Sequence, residues 1–149
     1  MLQKYKLGFE AWGLLLFLII MAPNLFWFAI PAPNDILRAD SMTEKIDEIA
    51  SACQILMAAA LCVLKNRESE KISVNPVTMI ASACGFLYYV SWIIYYAGVV
   101  NKVIVLGLVI LPCLAFLLFA IDRKNNIAII AISVFTICHL IFGVVNFMI

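Results

Sequence analysis

Asn24, Gln54 and His139 carry strongly hydrogen-bonding side chains inside otherwise apolar stretches of this chain, where an unpartnered polar group is costly. Such groups orient a ligand, relay a proton, or tie one helix to another. His139 is the one histidine, and imidazole titrating at about pH 6.5 suits proton relay. No carboxylate accompanies it in its own apolar run, so a hydrogen-bonded strut is the simpler expectation. Metal binding needs more ligands, and no His pair or HExxH motif is present. A GxSxG elbow, a phosphate-binding Walker loop and an aspartate pair inside one apolar run are likewise missing from the sequence. The sequence therefore leads us to expect neither an enzyme nor a cofactor.

The elements that must position these residues follow from composition. Of 149 residues, 66% are hydrophobic and 13% charged, with a mean hydropathy of +1.09. Soluble domains carry about half apolar and a quarter charged residues, so an integral membrane protein is expected. Five runs, Ala11–Ile30, Ile46–Leu64, Val77–Val99, Val103–Ile121 and Ile127–Ile149, each approach the length of about 20 residues that a helix needs to span a bilayer. The expected fold is an all-α bundle of five transmembrane helices, about 8–30, 42–65, 76–99, 103–121 and 126–148, forming one domain over 1–149. A cleaved signal peptide is not expected, because the first apolar run exceeds the usual core of about 7–15 residues.

Breaks between runs have recognisable chemistry. Pro31-Ala32-Pro33 removes backbone donors and stops the first helix. Ser41-Met42-Thr43-Glu44 has the S-x-x-E form of a capping box and predicts that the second helix starts there, with its charged first turns outside hydrocarbon. Asn75-Pro76 suits the start of the third helix. Asn101-Lys102 leaves the third and fourth helices a tight hairpin. Pro112 predicts a kink in the fourth.

Lys and Arg distribute unevenly between the two sides. One side holds Lys4, Lys6, Lys65, Arg67, Lys71, Arg123 and Lys124; the other holds Arg38, Lys45 and Lys102. This bias predicts a cytoplasmic N-terminus and an external C-terminus, in a bacterial cytoplasmic membrane. The first external loop is then acidic, with Asp35, Asp40, Glu44, Asp47 and Glu48. An acidic mouth concentrates cations, although acidic loops are also what remains when basic residues stay inside.

Rise per residue places the polar groups in one layer: from the inner ends, Gln54 lies about 15 Å up, His139 about 18 Å, Asn24 about 20 Å and Trp92 about 22 Å. Glu44, Glu48, Ser51, Gln54, Ala58 and Cys62 recur at helical spacing on the second helix. Ser133, Thr136, His139, Gly143 and Asn146 do so on the fifth. Asn24 and Trp27 follow Pro23, whose missing amide frees a carbonyl one turn earlier. The functional expectation is an outward-facing pocket with an aromatic wall of Trp27, Tyr88, Trp92 and Tyr95 and a floor of Asn24, Gln54 and His139, reached past Glu48. The bland alternative is interhelical hydrogen bonding, with an interfacial aromatic belt supplying the tyrosines and Trp92.

Cys53, Cys62, Cys84, Cys113 and Cys138 lie in apolar runs at no metal or redox spacing, and are expected to be buried thiols. Ile49-Ala50-Ser51-Ala52-Cys53 recurs as Ile80-Ala81-Ser82-Ala83-Cys84. Five small or apolar residues on oppositely directed helices read as shared packing rather than an inverted repeat. Partners follow from all this: the lipid bilayer, a small apolar or cationic ligand, and no nucleic acid, since no basic face exists. The expected function is binding or transport of a small molecule. A non-catalytic subunit docked on another membrane protein is the first alternative, and a cation-conducting homo-oligomer the second.

Overall fold

Each apolar run becomes one helix in the computed structural model, which describes residues 4–69 and 72–148. Lys71, counted above for orientation, and Ile149, which ends the last apolar run, lie outside the described residues. The helices are α1 (Ala11–Ala29), α2 (Glu44–Val63), α3 (Pro76–Tyr96), α4 (Lys102–Asp122) and α5 (Asn126–Phe147). All five are long and apolar enough to cross a membrane. They are a few residues shorter than expected at several ends, because capping and strand pairing end them before the apolar composition does.

The fold is all-helical but for one addition. Tyr5–Leu7 (β1) pairs antiparallel with Leu64–Asn66 (β2), Tyr5 opposite Asn66 and Leu7 opposite Leu64. This ribbon ends α2 at Val63 and fastens the segment before α1. We call this the strand end of the bundle. The opposite end, which carries the 30–43 loop and the α3–α4 turn, is the acidic end.

Local chemistry explains the helix boundaries. Asn75 caps α3, accepting at 2.9 Å from the Thr78 amide while Thr78 Oγ1 accepts from the Asn75 amide at 3.0 Å, with Pro76 in the first turn. α3 closes on Gly98, whose φ of +85° lets the Gly98 and Val99 amides donate back to Tyr95 and Ile94. Asn101 and Asn125 cap α4 and α5 by accepting from the Ile104 and Ala128 amides.

The capping box expected at Ser41 does not form. α2 begins at Glu44 after Thr43, without a side-chain cap. The Asp47 carboxylate takes the hydroxyls instead, accepting from Ser41 Oγ at 2.5 Å and Thr43 Oγ1 at 3.1 Å. Ser41 Oγ meanwhile accepts from the Thr43 amide at 3.1 Å, so a local turn rather than the Glu44 amide takes its lone pair.

α4 is the most enclosed helix, packed extensively on α3 and α5, while α2 packs on α5. Ile20, Met57, Leu61, Tyr88, Phe116 and Ile132 form the centre of the core. α1 touches its neighbours least. Its closest approach is at Gly13, where an added Cβ would run into the Leu61 backbone carbonyl. Small residues permit this contact between spans.

Candidate functional site

A cavity of about 370 Å³ lies between the helices toward the acidic end. Four helices each supply a polar side chain: Asn24 from α1, Gln54 from α2, Tyr88 from α3 and His139 from α5. α4 contributes Leu108, Pro112 and Phe116. The walls between these groups are apolar, with Phe28, Phe116, Phe135 and Phe142 among the aliphatic side chains.

The polar groups are tied by few bonds. Asn24 Nδ2 donates to the Tyr88 hydroxyl at 3.0 Å and, more weakly, to the Ile20 carbonyl at 3.5 Å. Gln54 Nε2 points at the Met21 sulfur at 3.3 Å, a weak acceptor. His139 stacks between Phe135 and Phe142, with centroids 5.0 and 5.8 Å away and planes within 18° and 10°. Its faces are therefore covered by rings, and its nitrogens lie at the uncovered edge. Asp47 and Ser51 line both this cavity and an open basin of about 550 Å³ whose other walls are Asp40, Ser41, Glu44 and Glu48. Glu48 thus stands in the approach, not in the cavity.

Trp27, Trp92 and Tyr95 do not line this cavity. Trp27 and Tyr95 clamp the 30–43 loop through Asp35, whose carboxylate accepts from Trp27 Nε1 at 2.8 Å, the Tyr95 hydroxyl at 2.9 Å and Arg38 Nε at 2.9 Å. Arg38 also covers the Trp27 ring, 4.9 Å from its centroid, and donates to the Trp27 carbonyl. Burial pushes the Asp35 carboxyl up, but the donors from Trp27, Tyr95, the Ala32 amide and Arg38 outweigh it and hold it below the usual carboxylate range. Trp92 stacks edge-on between Tyr88 and Tyr95 at 6.3 and 5.7 Å. Its indole N–H, turned toward the Tyr88 hydroxyl, makes no well-formed hydrogen bond among the described residues. Trp92 borders instead an apolar groove between α1 and α3 with Pro23, Phe26 and Tyr96.

No family model, curated protein or solved structure matches the chain.

Two further features were not read from the sequence. The carbonyl that Pro23 leaves without an amide belongs to Ile19, and Tyr89 OH donates to it at 2.6 Å. At the strand end, Glu10 is buried and takes both Lys65 at 3.2 Å and Arg123 at 3.3 Å. Arg123 also donates to Ser69 Oγ at 3.2 Å. Charge alone could have flagged Glu10, since a lone carboxylate just before an apolar run asks for a cation, but nothing in the spacing names Arg123. All five cysteines are free thiols, and no group of three His, Cys, Asp or Glu among the described residues could hold a metal ion.

Proposed function

We propose that the chain is a multi-pass membrane protein that binds, or carries, a small molecule in the cavity between its helices, reached from the acidic end. The cavity is the observation that carries this reading. About 370 Å³, apolar walls that include four phenylalanines, and convergent polar groups from four helices are the features of a ligand site. A subunit built only to dock on another protein has no need of an open interior, and a channel would put its polar stripe on an axis between chains.

The bilayer setting is supported by the surface. Leu18 and Leu25 on α1, Ile55 and Leu56 on α2, Phe86 on α3 and Ile137 on α5 are all exposed. So much apolar surface on one chain calls for lipid. The Lys and Arg bias supports a cytoplasmic strand end and an external acidic end and C-terminus, which fits a bacterial cytoplasmic membrane.

Thermal stability of purified protein against a panel of small apolar and cationic compounds tests the binding reading. A ligand present at 100 times its Kd stabilises by about 2.7 kcal/mol, and Gln54→Ala and His139→Ala should each reduce that gain. If no compound stabilises the wild type, or the gain survives both substitutions, the reading fails. A membrane-impermeant thiol reagent tests orientation: Ser41→Cys should react from outside and Ser69→Cys should not. The reverse pattern would invert the topology.

A further inference from the structure

Asp47 is a half-buried carboxylate at the rim of the cavity, and among the described residues its side chain accepts from two neutral hydroxyls, Ser41 Oγ and Thr43 Oγ1. No Lys or Arg pairs with it among the described residues. No Lys or Arg lines the cavity or the adjoining basin, the basin adds Asp40, Glu44 and Glu48, and His139 is the one nitrogen base in the cavity lining. A fixed positive charge beside Asp47 is one that a ligand could bring.

Inside, the unspent hydrogen-bonding capacity is mostly accepting. Asn24 has committed its N–H₂ to Tyr88 and Ile20, leaving its carbonyl oxygen without a donor among the described residues. Gln54 has turned its N–H₂ to Met21, leaving Oε1 in the same state. Pro112 withholds the amide that would pair with the Leu108 carbonyl, and both residues line the cavity. Unlike the Ile19 carbonyl, the Leu108 carbonyl receives no side-chain donor among the described residues. The remaining donors are the Tyr88 hydroxyl proton and an imidazole N–H of His139.

We propose that the cavity takes a small organic monocation bearing N–H groups, its ammonium head beside Asp47 and its apolar body among the aromatic rings below. This deepens the binding reading above and rests on it. An anion would meet Asp47 and a set of acceptors. A bare metal ion would find no cluster of three His, Cys, Asp or Glu ligands among the described residues. A wholly apolar ligand would leave the carbonyls of Asn24 and Gln54 unpaired, which costs free energy in a buried site. An ammonium supplies the charge that Asp47 lacks, further N–H groups on the ligand would answer the carbonyls of Asn24 and Gln54, and an aromatic ring face within about 6 Å of a cation adds to the attraction. The volume sits near the lower end of the range of about 300–1,000 Å³ for ligand pockets, so the cation is small.

The experiment compares three probes of one shape, 2-phenylethylammonium, 2-phenylethanol and phenylacetate, binding to the full chain in nanodiscs, with empty nanodiscs as the blank. The ammonium should bind at least about tenfold more tightly than the alcohol, and phenylacetate should not bind. Asp47→Asn should bring the ammonium-to-alcohol ratio close to one. Ala50→Phe, which fills the cavity from its wall, should abolish binding of both. Equal binding of ammonium and alcohol to the wild type overturns the cation class while leaving the cavity as a ligand site. A ratio unchanged by Asp47→Asn overturns the assigned anchor. Binding that survives Ala50→Phe, or no binding by either probe, removes the cavity reading and this inference with it. Should Asp47→Asn not fold, the wild-type ratio alone decides the class.

Discussion

Tyr89 answers Pro23: its hydroxyl donates at 2.6 Å to the Ile19 carbonyl, the acceptor from which Pro23 withholds an amide. α1 therefore runs through its proline without an orphaned carbonyl, and that carbonyl is not on offer to a ligand.

Tyr89→Phe should destabilise the fold by about 1 to 3 kcal/mol, the cost of leaving a desolvated acceptor unpaired. Pro23→Ala restores the amide, so in that background Tyr89→Phe should cost far less. Reversible unfolding in mixed micelles of all four variants gives the coupling. Equal costs in both backgrounds would show that the two residues do not cooperate.

The loop clamp should depend on acid. The Asp35 carboxyl is held below its ordinary value in the fold, so its contribution is fully present above the unfolded value of about 3.9 and is lost as pH falls through the lower folded value. The difference in melting temperature between wild type and Asp35→Asn should be constant from neutral pH down to the ordinary carboxylate range and shrink below it. A difference that grows on acidification would reverse the sign assigned here.

Two carboxylates at the strand end should behave unlike each other. Glu10 and Arg123 have side chains 8% and 7% exposed, whereas Lys4 and Glu68 are 61% and 56% exposed. Glu10→Gln removes the carboxylate that Arg123 and Lys65 share and should cost about 3 kcal/mol. Glu68→Gln should cost under about 1 kcal/mol. Chemical denaturation of both variants checks this, and similar losses would mean that Glu10 is solvated in solution.

Helix number and extent were legible because each span is a long apolar run between Pro, Asn or charge. Rise per residue also put Asn24, Gln54 and His139 at comparable depth, and the three line one cavity. Facing was harder to read. Trp27 and Tyr95 have the type and depth of a pocket wall, but Asp35, from a loop whose path no periodicity describes, draws them away. The Ser41 cap was misread because the pattern ignores the local turn in which Ser41 Oγ accepts from the Thr43 amide while donating to Asp47. β1 and β2 were invisible for a different reason. Tyr5-Lys6-Leu7 and Leu64-Lys65-Asn66 are too short for an alternation signal, and their pairing is a tertiary event.

That pairing sets an order of events during synthesis. β1 leaves the ribosome before its partner strand has been made, and a helix, a loop and a second helix must follow before β2 appears. Lys65 arrives with β2, while Arg123 waits until α4 is complete. The start of α1 is thus secured in two stages, first by backbone and later by charge. A nascent chain arrested between α3 and α4 would hold the start of its first helix by the ribbon and Lys65, still without Arg123.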